Sequence, residues 1–139
     1  MHNDLQKLGF CDDCQIAQEI NVNKKFVESV PADSGVYVLL ADKNLPRLAG
    51  ESNILYIGRG SNLRGRIKHL LKYYLPKDYA GNWGKHTARE ALSRIIETTN
   101  MMPSISYVAC TNYKDLETKL IQSYCKQHIE TPPLNNQRK

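Results

Sequence analysis

A glutamate interrupts the apolar face of the last helix that the sequence predicts. Leu116, Leu120, Ile121 and Tyr124 recur at helical spacing and form one face, and Glu117 falls near the middle of that face. A buried carboxylate without a partner is costly, so such a group normally becomes neutral, pairs with a cation or binds a metal. Glu117 is therefore the first candidate for chemistry.

Two tyrosines and an arginine upstream suggest what that chemistry is. Tyr37 and Tyr56 each lie in a predicted strand, and Arg66 lies in the helix that follows the second strand. Cutting a phosphodiester requires an activated water, a neutralised phosphate and a stabilised leaving oxygen. A carboxylate is a hard ligand that suits Mg²⁺ or Mn²⁺, and arginine offers a planar fork of donors to phosphate oxygens. These residue types together indicate a metal-dependent nuclease site.

The charge distribution points to a polyanionic partner. The chain has 139 residues and a formal net charge of +5. Residues 1 to 34 contain six acids and three bases, whereas residues 52 to 89 contain eight Lys or Arg and one acid. A basic segment of this kind is typical of proteins that bind a phosphate backbone, although a solvated helix face has the same composition.

Composition also limits the class of protein. The length fits one domain, no apolar run is long enough to span a membrane, and the N-terminus lacks the pattern of a signal peptide, so we expect a cytoplasmic protein. The four cysteines are expected to be thiols. Cys11-x-x-Cys14 and Cys125-x-x-His128 are the alternative, as a zinc or thiol-redox site, but the pairs lie far apart in sequence and zinc is not expected.

Hydrophobic periodicity and turn residues predict an α+β domain at residues 34–139, with a helical extension at residues 1–33. The predicted elements are a helix over 4–29, strands over 35–41 and 53–59, two helices after residue 62, a strand over 105–110 and a helix over roughly 113–128. A long loop, Asp42 to Ser52, joins the first two strands as a hairpin. The β-β-α-α-β-α order predicts a small, three-stranded, mostly antiparallel sheet flanked by helices.

Five motifs in this order resemble those of the GIY-YIG nuclease family. They are Gly35-Val36-Tyr37, Tyr56-Ile57-Gly58, Asn62-Leu63-Arg64-Gly65-Arg66, Glu117 within Leu116-Glu117-x-x-Leu120-Ile121, and Pro132-Pro133-Leu134-Asn135. The resemblance covers about residues 34 to 136. It implies a three-stranded antiparallel sheet flanked by helices and cleavage of DNA with one divalent metal, Mg²⁺ or Mn²⁺.

By position, the resemblance makes Tyr37 and Tyr56 the two motif tyrosines, Arg66 the family arginine and Glu117 the metal ligand. A tyrosine is then the expected general base, and we favour Tyr37. Its ordinary pKa is about 10, so lowering it by about 3 units requires roughly 4 kcal/mol of preferential stabilisation of the phenolate. A metal ion and two arginines can supply that energy; alternatively, the tyrosine only aligns a water.

Three supporting residues are also expected near the site. Asn135 matches the late asparagine of the family, and either bonds within the site or caps a turn. Arg59 stands where some relatives carry a lysine. His86 either contacts DNA, acts as an accessory base or is a surface histidine. The chain departs from the family in its long hairpin loop and in having Leu70, with His69 one place early, where some relatives carry a histidine.

Five basic residues are expected to contact the DNA backbone: Arg64, Lys68, Lys72, Lys85 and Arg89. A single site would nick DNA, so cutting both strands would require a homodimer or two visits. The first hypothesis is therefore a metal-dependent DNA endonuclease. The alternative is a nucleic-acid-binding module with the same fold that does not cut.

Overall fold

The computed structural model describes residues 15–17, 29–70, 89–99 and 104–136. Its elements are β1 (Gln15–Ala17), β2 (Gly35–Pro46), β3 (Glu51–Gly60), α1 (Leu63–Leu70), α2 (Arg89–Thr99), β4 (Ser104–Ala109), α3 (Tyr113–His128) and a 3₁₀ turn (Pro133–Asn136). The predicted α+β class is confirmed. In these ranges no helix is both long and apolar enough to cross a membrane.

The sheet is antiparallel throughout, with the strand order β1-β4-β2-β3. β2 is central among the three predicted strands, so that Tyr37 lies between Gly58 of β3 and Tyr107 of β4. The antiparallel arrangement predicted for these strands is confirmed. Within the described part of the chain β3 is an outer strand of this sheet, which leaves one of its edges without a strand partner.

The structure corrects one part of the helical prediction for residues 4–29. Gln15–Ala17 is a strand that pairs with β4, with Gln15 opposite Tyr107 and Ala17 opposite Ile105. Without it, β4 would present unpaired backbone N–H and C=O groups along its length. The periodicity of a short segment carries no information about such a distant partner. The rest of the predicted extension before residue 29 lies outside the described residues.

The hairpin of β2 and β3 also differs from the prediction. The strands continue to Pro46 and resume at Glu51, so the connection is a four-residue turn, 47–50, and not a loop from 42 to 52. Leu45 pairs with Ser52 after a register shift. Gly50 has φ of +73°, a left-handed conformation that glycine adopts without steric cost. Backbone pairing thus extends the strands through residues too polar to be predicted as strand.

The tip of this hairpin is attached to the end of α3. Arg47 Nε lies 3.1 Å from Glu130 Oε2, and Arg47 Nη2 donates to the Thr131 carbonyl at 2.7 Å. The Ala49 amide donates to the His128 carbonyl at 3.2 Å, and His128 Nδ1 lies 2.7 Å from the Ala49 carbonyl. These contacts fix the path of the chain after α3, which leads to the 3₁₀ turn.

The sheet has a core on each face. On the α1 face, the buried side chains of the sheet meet those of α1 and α2: Val30, Tyr37, Leu39, Ala41, Leu55, Leu63, Ile67, Leu70, Leu92, Ile105, Tyr107 and Leu134. On the α3 face, the buried side chains of β2 and β3 meet Leu120 and Tyr124: Val36, Val38, Leu40, Ile54 and Ile57. The helices of the motifs therefore lie on opposite faces of the sheet.

A β-bulge in β3 places Leu55 on the same face as its neighbour Tyr56. The pairing changes from Leu39–Tyr56 to Leu40–Ile54, so Leu55 is the extra residue. Leu55 and Tyr56 consequently both pack on the α1 face, although neighbouring strand residues normally alternate between faces. Tyr56 lies on the same face as Tyr37 because it pairs with Leu39, two residues after Tyr37.

Gly35 provides the first prediction. A Cβ at this position would lie against the Val108 carbonyl oxygen and 2.6 Å from Leu63 Cδ1. Gly35→Ala is therefore expected to lower the free energy of unfolding by about 2–3 kcal/mol through overpacking. Gly65 in α1 is the matched control, because its nearest contacts are the flexible Asn62 side chain at 3.4 Å.

Gly65→Ala is expected to leave stability unchanged or to raise it by up to about 1 kcal/mol, since alanine is the better helix former. Urea denaturation followed by circular dichroism measures both variants. Equal effects at the two positions would contradict the close approach at Gly35.

Candidate catalytic site at the edge strand

The two motif tyrosines and the motif arginine form one cluster on the α1 face. The ring centroids of Tyr37 and Tyr56 are 6.0 Å apart and the rings are tilted by 44°. Tyr37 is fully buried, and its hydroxyl is hydrogen-bonded to the side chains of Tyr56 and Arg66. Tyr56 and Arg66 are both half-buried. The buried Tyr37 hydroxyl thus links the side chains of Tyr56 and Arg66, which are both partly accessible to solvent.

Two glycines of β3 make room for this cluster. Gly58 pairs with Tyr37 across the strands, and a Cβ on it would lie 2.6 Å from Tyr37 Cζ and 2.6 Å from Tyr56 Cε2. A Cβ on Gly60 would overlap the Arg66 side chain at Cγ. The rings and the arginine stem therefore lie directly on the backbone of β3. The two glycines are the feature of the sequence that indicates this contact, because glycine inside a strand marks a close approach to the backbone.

Burial keeps Tyr37 protonated. Desolvation raises its pKa well above 10.0, the charge of Tyr56 raises it further, and the Arg66 guanidinium only partly opposes this. The direction is opposite to that expected for a phenolate base. Tyr37 is also fully buried, whereas Tyr56 is partly accessible to solvent. Of the two hydroxyls, only that of Tyr56 belongs to a side chain with access to water.

Glu117 lies on the α3 face beside β3. Its side chain is 19 % exposed, and Oε1 is 3.5 Å from Nε of Arg59, whose side chain is 43 % exposed. Burial raises the pKa of the carboxyl, and the Arg59 guanidinium lowers it by less. Glu117 was predicted near the middle of the apolar helix face, and its side chain is partly buried there. Its pairing with Arg59 was not predicted from the sequence.

The Tyr37–Tyr56–Arg66 cluster and the Arg59–Glu117 pair lie on opposite faces of the sheet, next to the same stretch of β3. Arg59 pairs across the strands with Val36, whose side chain is in the α3-face core, and Tyr37 pairs with Gly58 on the other face. Tyr56 and Arg59 are three residues apart, which corresponds to about 10 Å along a strand. The structure therefore brings the predicted residues to one outer strand, as a tyrosine–arginine cluster on one side and a glutamate–arginine pair on the other.

Asn135 covers the outer edge of β3 between these groups. Its Oδ1 accepts from the Ile57 amide at 2.9 Å, and its Nδ2 donates to the Ile57 carbonyl at 2.8 Å. The side-chain amide takes the place of a neighbouring strand at the one residue between Tyr56 and Gly58. Of the two roles considered for Asn135, the structure shows hydrogen bonding at the site, and its main-chain amide also bonds to Pro132.

The residues predicted to contact DNA are only partly described. Arg64 is exposed, but its Nε donates to the Val30 carbonyl at 2.8 Å, and Lys68 is half-buried. Lys72, Lys85 and the supporting candidate His86 lie outside the described residues, as does the side chain of Arg89 at the start of α2. The basic surface predicted from residue 52 to 89 is therefore defined by the structure only up to the end of α1.

A lone carboxylate limits the metals that the site suits. In the ranges described, no group of three or more His, Cys, Asp or Glu side chains could hold a metal ion. Mg²⁺ retains several waters and is bound through one or two carboxylates together with phosphate oxygens of the substrate. Glu117 fits that mode, since its pairing with Arg59 leaves a partly exposed carboxylate. For the zinc alternative, Cys110 and Cys125 are free thiols, and Cys11 and Cys14 lie outside the described residues.

Comparisons of the chain with known proteins give no match to a family model, a curated protein or a solved structure. The resemblance to the GIY-YIG family therefore depends on the motifs themselves. The first two lie on β2 and β3, the third begins α1, the fourth is on α3 and the last forms the 3₁₀ turn.

The bonds of Asn135 to Ile57 give the second prediction. Asn135→Ala removes both bonds, so it is expected to lower the free energy of unfolding by about 1–2 kcal/mol. It should also speed hydrogen exchange at the Ile57 amide, measured by NMR. Asn112→Ala is the matched control, because the Asn112 side chain makes no capping hydrogen bond. Unchanged exchange at Ile57 in the Asn135 variant would contradict the contact.

The pKa of Glu117 gives the third prediction. Because burial raises it above the ordinary 4.5 in the folded protein, the folded state binds the proton more strongly than the unfolded chain. As pH rises above about 4.5 and Glu117 ionises, the free energy of unfolding of the parent therefore falls. Relative to the parent, Glu117→Gln is expected to gain stability as pH rises above the ordinary pKa of 4.5.

Urea denaturation across this pH range tests the sign of that change. Glu97→Gln, at an exposed glutamate of α2, measures the effect of the exchange itself. A parent that gains stability relative to the Glu117 variant as pH rises would show the opposite linkage.

Proposed function

We propose that the chain is a divalent-metal-dependent DNA endonuclease of the GIY-YIG type. One observation carries the proposal: the buried Tyr37 hydroxyl is bonded to Tyr56 and Arg66 over Gly58, on the strand that Glu117 approaches from the other face. A structural core has no need of a buried phenol–guanidinium contact on one face of a strand and a half-buried carboxylate on the other. Such groups cluster where charge must be stabilised.

Arg66 is the proposed phosphate ligand. Its stem lies on Gly60 and its head bonds to Tyr37, so its orientation is fixed before a substrate arrives. A guanidinium has five N–H donors, so Arg66 can bond to Tyr37 and also donate to a phosphate oxygen as negative charge develops. A preorganised donor of this kind needs little rearrangement during the reaction, which is the main source of its catalytic effect.

Tyr56 is the proposed water-aligning residue. Its side chain is partly accessible, whereas Tyr37 is buried and its pKa is raised. Tyr37 therefore acts as a neutral phenol that orients Tyr56 and Arg66. This division of roles differs from the expectation that Tyr37 itself is the base, because desolvation outweighs the nearby guanidinium.

Glu117 is the residue that would hold the metal, Mg²⁺ or Mn²⁺. When bound, the ion would supply Lewis-acid stabilisation of phosphate and leaving-group charge. The side chains of Arg59 and Glu117 lie on the α3 face of β3, and those of Tyr56 and Arg66 lie on its α1 face. The scissile phosphate is therefore proposed to lie at the outer edge of β3, beyond Asn135, which covers that edge at Ile57.

DNA is the proposed substrate because of the basic segment between residues 52 and 89. Arg64 and Lys68 of α1, together with Lys72, Lys85 and Arg89, are the proposed backbone contacts. A cytoplasmic location fits this substrate. One site per chain nicks one strand, and a homodimer would cut both.

The second candidate is a nucleic-acid-binding module that does not cut. The observation that favours it is the Arg59–Glu117 pair, since this carboxylate already has a cationic partner. Cleavage assays with Mg²⁺ or Mn²⁺ on plain, nicked, branched and single-stranded DNA distinguish the two. The endonuclease cuts at least one of them in a metal-dependent manner, and the module cuts none.

Two substitutions form the fourth prediction. Glu117→Ala is expected to abolish cleavage without weakening DNA binding, because it removes the metal ligand and none of the proposed DNA contacts. Arg66→Ala is expected to slow cleavage at least about a hundredfold, the usual effect of losing one charge-stabilising donor. Cleavage is followed by gel electrophoresis under single-turnover conditions, and binding by fluorescence anisotropy in EDTA.

Glu97→Ala is the matched control for Glu117, since Glu97 is an exposed glutamate of α2 that belongs to none of the motifs. It should cut at the parental rate. If Glu117→Ala also cut at the parental rate, the assignment of the metal ligand would be wrong.

A further inference from the structure

The contact between Arg59 and Glu117 is loose and unequal. Nε and Oε1 are 3.5 Å apart, whereas a charge-assisted bond between such groups is normally about 2.7–2.9 Å. Glu117 is 19 % exposed and fixed on α3, and Arg59 is 43 % exposed on the outer strand. The carboxylate is therefore the anchored partner, and the guanidinium is the one with room to move.

The same carboxylate cannot serve Arg59 and a divalent cation equally well. A cation bound to Glu117 brings a second positive charge beside the guanidinium, and like charges at short range repel. A half-exposed ion pair contributes little energy, so a divalent ion is expected to displace it. Without a cation, however, a half-buried carboxylate with no partner would be costly. Arg59 supplies that partner.

Building on the proposed function, we propose that Arg59 is a placeholder counter-ion. In the metal-free protein it neutralises Glu117 at the outer edge of β3. When a divalent metal takes the carboxylate, the guanidinium is released from Glu117 and becomes a ligand for a DNA phosphate beside the site. Metal and DNA then reinforce each other's binding, because each favours the arrangement in which Arg59 has left Glu117.

The first test measures Mn²⁺ binding without DNA, by electron paramagnetic resonance of free Mn²⁺. Arg59→Gln is expected to bind Mn²⁺ about two- to fivefold more tightly than the parent, because the competing cation is gone. Arg94→Gln is the matched control: it removes one positive charge from an exposed position on α2 and should leave Mn²⁺ binding near the parental value. Equal or weaker binding by Arg59→Gln overturns the proposal.

The second test measures DNA binding in EDTA, by fluorescence anisotropy with a labelled duplex, in a double-mutant cycle. In the parent, Arg59 is held by Glu117, so Arg59→Gln is expected to weaken binding by about twofold or less. In the Glu117→Gln background Arg59 is released, and its loss should weaken binding by about fivefold or more. Equal losses in both backgrounds contradict the placeholder role. Circular dichroism and thermal unfolding verify that each variant is folded.

The two tests separate this inference from the proposed function. If Glu117→Gln binds Mn²⁺ as well as the parent, the metal ligand is wrongly assigned and the proposed function fails. The cycle in EDTA involves no metal and still shows whether Glu117 restrains Arg59. If Mn²⁺ binding depends on Glu117 but not on Arg59, the proposed function stands and the placeholder role is wrong.

Discussion

The absence of a side chain at Gly58 is the constraint on which the site depends. Tyr37 crosses β3 at this residue, and its ring, its hydroxyl and the ring of Tyr56 all lie within 2.7 Å of where a Cβ would be. A close approach between aromatic ring and backbone is possible only at glycine. The contact fixes the distance of the Tyr37 hydroxyl from the backbone of β3. That hydroxyl in turn positions the side chains of Tyr56 and Arg66 through hydrogen bonds.

Long-range contacts hold the strand that carries this constraint. The hairpin tip is attached to the end of α3 through Arg47, Glu130 and His128, and the chain that follows brings Asn135 to Ile57. The outer strand is thus supported at its turn and at its middle by the same C-terminal segment. Rigid support of this kind is what keeps functional groups within the small tolerances that catalysis requires.

The sequence predicted the order of the strands and helices from residue 35 onward, because hydrophobic period, glycine spacing and turn residues are local signals. It predicted three antiparallel strands and the partial burial of Glu117. The misses depended on distant partners. The bulge at Leu55 and the strand at Gln15–Ala17 arise from pairing that no local window contains. The pKa of Tyr37 depends on how completely the fold excludes water from it, and pairing of Arg59 with Glu117 depends on how α3 docks.

The bonds between Ile57 and Asn135 have a consequence for biosynthesis. They join residues 78 positions apart, so a ribosome that has just made Ile57 needs about 4–16 seconds more to make Asn135. During that interval the backbone N–H and C=O groups at the outer edge of β3 have no partner from Asn135. Unpaired strand edges of this kind can pair with other chains and start aggregation. Asn135 thus protects the edge of β3 only after its own synthesis. The candidate site is likewise incomplete in a nascent chain until that point.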